Sequence, residues 1–411
     1  MRILLISEMI PCLPSHDGFR LIPANLIRNL FDRHEIHLIA LSRDGEGEEQ
    51  SEWPRAYCRS VSIFRSDHGI RAKVRAITGA IDPALARFII DAVAKVRPDV
   101  LHLEGGGLAA LLRATTRGWP GVLCVHDSKA LRYREFAGYA ARARQRFRLK
   151  LLSVLARHQE RRWFGYADRV VVTSPSDAQA LSAAVNAQRI AVIPNGVDLE
   201  YFAYRPAPEA GRIVFTGNMS WPPNEDAAEH FARDLMPAIR SRVPAASFWI
   251  VGADPSARVQ NLSSVPGVHV TGTVADIRPW IWSAAVYASP LRFGLGVKNK
   301  ILEAMASGAP IVATSRSLSG TPLIDGRHAM IADDDAKFGD SVARLLADSV
   351  MRESLSREAR RKVEAENSWD SVAAAYEGVY REALADRDRQ PSGALTLESL
   401  SNKKRVLGKL K

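Results

Sequence analysis

The sequence predicts an α/β protein of two domains, each built on a parallel β-sheet. Three features predict it. Short apolar runs alternate with longer helical patterns along the chain. The pattern starts twice, at RILLISEM near the N-terminus and again at GRIVFTGNM after residue 210. Between the two starts lies NGVDLEYFAYRPAPEAG (195–211), whose prolines and glycines read as a linker. At 411 residues the chain suits two cores of ~200 residues each.

In order, the first half offers candidate strands at 3–8, 36–41, 61–64, 100–103, 122–126, 170–173 and 190–194. The second half offers 213–217, 247–251, 268–272, 286–290, 311–314 and 330–332. Several are almost continuously apolar, as strands buried on both faces of a parallel sheet must be. Helical periodicity fills most of the gaps, as at 227–239 and 341–346. The expected layout is an N-terminal Rossmann-like domain over 1–200 and a nucleotide-binding Rossmann-like domain over 201–368. An amphipathic helix at 369–385 would cross back to the first domain, anchored by Trp369, Tyr376 and Tyr380. A polar, basic tail at 386–411 is expected to be disordered. Two such domains facing one another place a cleft at the carboxyl ends of their strands, where open α/β sheets bind ligands.

Composition narrows the function. Hydrophobic residues make up 46% and charged residues 25%, ordinary values for a globular protein. The net charge of +11 favours anionic partners: nucleic acid, an acidic membrane surface or phosphorylated small molecules. No RNP, zinc-finger or zipper signature is present, which weakens the nucleic-acid option. Cys12, Cys58 and Cys124 form no CxxC pair, as expected of reduced thiols in the cytoplasm. The opening run MRILLISEMIP is broken by Glu8 and Pro11, so it reads as a strand and not as a signal peptide.

The most informative stretch is RFGLGVKNKILEAMASGAPIVAT (292–314). Gly294 and Gly296 let the backbone approach a ligand closely. The helix that follows starts with free N–H groups, and Lys298 and Lys300 add positive charge there. Cations normally disfavour a helix start, and a bound diphosphate would offset that repulsion. Glu303, one turn further in, can accept from the two hydroxyls of a ribose. Phosphates and ribose together mean a nucleotide. A solvated surface loop is the plain alternative for a glycine-rich turn taken alone.

The strings KNKILEAMASGAPIVAT, VIPNGVD, VVTSPSDA and FTGNMSWPPNEDA together resemble glycosyltransferase family 4, in particular the bacterial exopolysaccharide sugar transferases, including those of PEP-CTERM/EpsH-type systems. The resemblance spans about residues 1–384. It implies the GT-B fold and a retaining enzyme that uses a nucleotide-diphosphate sugar, with UDP or GDP as the nucleotide and no other cofactor. It further implies that Glu303 is the second glutamate of an E-x7-E motif and holds the donor ribose. The first glutamate falls at Leu295, a departure that leaves sugar recognition to the backbone of Gly294, Leu295, Gly296 and Val297. The family's cations after the first strand of the nucleotide domain are also absent. Gly217 and Asn218 are present there, and Lys298 is the candidate for the missing charge.

The resemblance places His126, at the end of its strand, against the donor sugar, with Asp127 beside it. A histidine that merely caps a strand is the competing reading. Asp17 and Gly18 stand where the family has an acceptor-side Gly-Gly pair. Val274 and Ile277 fall in the loop that holds the base, although packing is the plainer role for Ile277. His102 and Glu104, also at a strand end, receive no role. No cluster with metal-ligand spacing is visible, so a metal-independent reaction is expected. The segment 132–162 holds ten Lys or Arg and two acids, with leucines interleaved. A solvated face explains this, and so does peripheral contact with anionic lipid at the inner membrane face.

The expected function is transfer of a sugar from a nucleotide-diphosphate donor to a hydroxyl of a glycan or lipid-linked glycan, in exopolysaccharide or cell-surface polysaccharide synthesis. Three alternatives stay open: a GT-B nucleotide-sugar epimerase, a nonenzymatic nucleotide-sugar-binding protein and, on charge alone, a nucleic-acid binder.

Overall fold

A computed structural model describes residues 1–15, 18–42, 49–65, 79–115, 118–140, 142–294 and 296–389. Among them are thirteen strands in two parallel sheets. Each matches one of the thirteen sequence-predicted strands to within two residues at either end.

The chain divides into two compact units. One contains Met1–Leu131, Lys150–Ile193 and Ala373–Lys411; the other contains Arg132–Leu149 and Pro194–Val372. The sheet of the first unit runs in the order β3(Ser60–Arg65), β2(Glu35–Ser42), β1(Arg2–Ser7), β4(Val100–Glu104), β5(Gly121–Val125), β6(Arg169–Val172), β7(Ile190–Val192). Strands β4, β5 and β6 are buried at every residue, which explains the apolar run GVLCV of β5 and the valines of β6; β4 buries His102 and Glu104 as well. Leu4, Ile6, Leu101, Leu103, Leu123 and Val170 fill one core beside that sheet, against Leu85, Ile89 and Val93 of the helix Pro83–Val96.

The second sheet repeats the pattern, in the order β10(Val268–Gly272), β9(Ser247–Val251), β8(Arg212–Thr216), β11(Val286–Ser289), β12(Ile311–Ala313), β13(Met330–Ile331). Alternate residues of β8 face opposite cores. Ile213 and Phe215 join one cluster with Phe231, Phe248 and Phe338. Val214 joins another with Tyr287, Ile301, Leu302 and Met305. At ~1.5–3 kcal/mol for each fully buried large apolar side chain, these clusters hold the sheet rigid beneath its loops.

In both sheets the strand order reverses direction at the first strand, between β1 and β4 and between β8 and β11. At such switch points the loops beyond the carboxyl ends diverge and leave a crevice. The last helix runs from Trp369 to Arg389. It therefore extends beyond the expected end at 385, and the rest of the predicted disordered tail lies outside the described residues.

Candidate functional site

At the switch point of the second unit, β8 ends at Thr216 and Gly217 follows with φ +152°. A Cβ at Gly217 would lie 2.7 Å from Asn224 Nδ2 and 2.8 Å from Lys300 Nζ, so a side chain there would shift one or both, on a backbone whose φ already favours glycine. Lys300 Nζ donates to Asn224 Oδ1 at 2.7 Å and sits 4.2 Å from the Phe215 ring centroid. Asn224 is itself oriented by donation from Nδ2 to Asn218 O at 2.8 Å. Asn218 is exposed, and its side chain bonds Ser220 and Asp254.

On the other side of the switch point, Gly294 and Gly296 carry φ of +113° and +73°. Lys298 is the N-cap of the helix Asn299–Ser307, and no side chain caps that end. Ile301 N–H donates to Lys298 O at 2.8 Å, and the N-cap side chain does not close the end where the dipole favours an anion. The two lysines behave differently. Lys298 Nζ turns back to donate to Gly296 O at 2.9 Å, whereas Lys300 reaches the base of the switch point beside Gly217. Sequence reasoning placed the key cation on Lys298; Lys300 is the one held in the crevice wall.

Lys300 and Glu303 are half-buried in a deep wall of protein. Desolvation, reinforced by the charge of Lys298, pulls Lys300 down to about 7, partly offset by Glu303. Burial pushes Glu303 up to about 7, with Lys300 acting against it. Burial thus disfavours the charged form of both groups, and for Lys300 an anionic ligand would offset that. A diphosphate would be such a ligand.

The glycine-rich loop is already engaged. Gly294 N–H donates to Glu135 Oε2 at 3.1 Å, and Glu135 Oε1 pairs with Arg316 Nη1 at 2.8 Å. Tyr139 stacks on Phe293 at 4.2 Å and donates its hydroxyl to Arg292 O at 2.7 Å. Nothing in the local sequence announces this partner, since Glu135 is 159 residues away. Val274, Ile277 and Val297 are partly buried against the core, so their side chains serve packing. Leu295 and Asp17 lie outside the described residues, and Gly18 opens the helix Gly18–Leu30.

At the switch point of the first unit the charge is reversed. Glu8 follows β1, and its Oε1 accepts from Gly107 N at 2.6 Å. A Cβ at Gly105 would fall 2.4 Å from Glu8 Cδ and one at Gly107 2.6 Å from Glu8 Oε1, so these two glycines lie against the carboxylate. Glu104, at the end of β4 and 2% exposed, has its Oε1 2.7 Å from His126 Nε2 and its Oε2 2.8 Å from His102 Nε2. His126 packs against Phe19 with ring centroids 4.3 Å apart. Its carbonyl accepts from Thr173 Oγ1 at 2.8 Å, which fixes the strand end. Asp127 is half-buried next to it.

Among the described residues, His102, Glu104 and Cys124 form one group with metal-type ligand atoms within 4.8 Å of one another. Both ring nitrogens of His102 and both oxygens of Glu104 already have protein partners. Burial also pushes the Cys124 thiol up, which disfavours the thiolate a metal would need. The donor set fits a hydrogen-bonded core better than a cation site.

Comparison with known proteins agrees with this anatomy. Residues 23–201 match the family model described as Glycosyltransferase Family 4, and residues 210–348 match that described as Glycosyl transferases group 1. The phosphatidyl-myo-inositol mannosyltransferase of Mycobacterium leprae is 27% identical over 206 residues, covering 46% of this chain and 52% of that protein. The chain spans about half the length of the first curated relatives it matches. Sucrose-phosphate synthase from Thermosynechococcus elongatus superposes with a TM-score of 0.69 at 18% identity, over 94% of this chain and 99% of that one. Anabaena HepE, solved in complex with UDP and glucose, gives 0.65 at 15% identity, over 93% and 99%. The chain has the GT-B fold, and both family models that it matches are glycosyltransferase models.

Proposed function

We propose that this protein is a glycosyltransferase that moves a sugar from a nucleoside-diphosphate sugar to a hydroxyl of a glycan or lipid-linked glycan. The observation that carries the reading is the Lys300 amine held beside Gly217 by its bond to Asn224. Beside it lie the uncapped start of the helix Asn299–Ser307 and Glu303. The ammonium and the free amides receive the diphosphate, and Glu303 accepts from the ribose hydroxyls. The family-model matches and the UDP complex of HepE support a nucleotide-sugar donor.

The bond from the sugar's anomeric carbon to the diphosphate oxygen breaks, and a bond from that carbon to the acceptor oxygen forms. Both occur on the same face, so the configuration is retained. The acceptor's proton passes to the departing phosphate oxygen. Negative charge develops on the diphosphate, and Lys300, Lys298 and the helix amides stabilise it; charge stabilisation of this kind is usually the largest catalytic contribution. These protein cations meet the charge without a metal in the scheme. His126 and Asp127 belong to the sugar end of the reaction, and Gly18 to the acceptor side.

The acceptor fits a lipid-linked chain in polysaccharide assembly. On the helix Ala143–Trp163, Phe147, Leu151 and Val154 are 71%, 51% and 67% exposed. Their spacing puts them on one face, flanked by Arg144, Arg148, Lys150 and Arg157. An apolar ridge edged by cations suits the surface of an anionic bilayer, where each basic residue contributes ~1 kcal/mol. Among the described residues no helix is long and apolar enough to cross a membrane.

The test is a thermal-shift panel of UDP-, GDP- and ADP-sugars on the full chain. One nucleotide should raise the melting temperature of wild type, and Glu303→Gln should reduce that rise. Absence of any response across the panel would overturn the reading.

A further inference from the structure

His126 does not stand alone. Behind it lies a buried chain of three side chains, none of which the sequence marks as functional. Its Nε2 is 2.7 Å from Glu104 Oε1. The other oxygen of Glu104 meets His102 Nε2 at 2.8 Å, and His102 Nδ1 meets Tyr380 OH at 2.6 Å. His102 and Tyr380 are fully enclosed, and Tyr380 belongs to the helix Trp369–Arg389.

The protons can be assigned from the network. An ionised carboxylate only accepts, so both Nε2 atoms must carry hydrogen. An Nε2 lone pair facing a carboxylate oxygen at this distance would be repelled. His102 Nδ1 is then an acceptor and takes the hydrogen of Tyr380. The His126 N–H is not well aligned on the oxygen, so the contact acts as an ion pair more than as a directed hydrogen bond.

We infer that Glu104 is a positioning residue for His126: it keeps a proton on Nε2, so that Nδ1 is the ring nitrogen left to address the substrate, and Tyr380 and His102 hold Glu104 in place. This rests on the glycosyl-transfer reading above. The groups around the ring support it. Desolvation works against a charged His126, but the close contact with the carboxylate of Glu104, then the charges of Asp127 and Glu8, outweigh it and raise His126 above its usual 6.5. Phe19, the ring packed on its other side, carries no charge. For Glu104 burial raises, but His102 and His126 overcome it and hold the carboxyl at about 2. Near neutral pH the carboxylate is therefore ionised, and it favours the protonated form of His126, whose Nδ1 would then donate to a substrate oxygen.

The experiment is an NMR titration of the full chain labelled with 15N-histidine, the His126 signals being identified by their loss in His126→Asn. Wild type should titrate above 6.5. Glu104→Gln should lower the midpoint by at least one pH unit, a tenfold change in proton affinity. The pH dependence of kcat should move with it, while the donor KM changes less than threefold. Tyr380→Phe removes one support of Glu104 but keeps its charge, and should move the midpoint less. An unchanged midpoint in Glu104→Gln overturns the proposal. If that variant does not fold, a wild-type midpoint at or below 6.5 overturns it equally. Nucleotide binding by wild type, read separately, tells whether the glycosyl-transfer reading itself has failed.

Discussion

The two sheets share one strand order, yet their switch points carry opposite charge. In the first unit the crevice between β1 and β4 is furnished with carboxylates, Glu8 and Glu104, with His126 tied to one of them. In the second the crevice between β8 and β11 is furnished with Lys298, Lys300 and uncapped amides, with Glu303 one turn behind. The backbone topology supplies a place for a ligand in both. The side chains decide what it accepts. Only the second arrangement suits a diphosphate; the first repels one, and its carboxylates serve instead to charge a histidine.

The comparison breaks first at His126. His126→Ala should lower turnover by about a hundredfold or more, the scale on which positioned acid–base and charged groups act. Affinity for the free nucleoside diphosphate, measured by calorimetry, should stay within twofold. A matching loss of nucleotide affinity would mean that the first crevice holds the phosphates after all.

A second, smaller effect concerns Glu135, whose carboxylate accepts from the glycine-rich loop of the cationic crevice at Gly294. Glu135→Ala frees Gly294 N–H and Arg316. Removing a negative charge near a diphosphate should tighten nucleotide binding by about three- to tenfold, since partly exposed pairs contribute ~1 kcal/mol. Weaker binding would show instead that Glu135 supports the loop in its binding shape.

The smallest effect is a proton count. Lys300, pulled down to about 7, is mostly neutral at about pH 8.5, while Glu303, pushed up to about 7, is mostly ionised there. A bound diphosphate favours the ammonium, so binding at that pH should take up a fraction of one proton. Calorimetry in buffers of different ionisation enthalpy measures it. Release of protons would have the wrong sign for this account.

The strands were legible because parallel sheets leave apolar runs in the sequence: GVLCV is buried at every residue, as are Ile213–Thr216 of the second sheet. The cationic crevice was legible in part. RFGLGVKNKILEA announced the glycines, the helix start and Glu303. It did not reveal how Lys300 is held, because that depends on Asn224, 76 residues away, whose Oδ1 accepts from the amine. Glu104 was passed over for the same kind of reason. Its partners, His126 on the next strand end and Tyr380 behind His102, meet it only through sheet order and the last helix. Residues whose roles rest on chain-local spacing could be read, and those whose roles rest on partners brought in by topology could not.

The central claim is that the second unit's switch point grips a diphosphate through Lys300. Its most direct test is a calorimetric titration of UDP and GDP into wild type and Lys300→Met, a change that keeps the aliphatic stem packed on Phe215. The account predicts a loss of affinity on the order of 10- to 100-fold for the preferred nucleotide, the scale of ~1.5–3 kcal/mol for a charged hydrogen bond. Equal affinity in the two proteins, both folded, would contradict it.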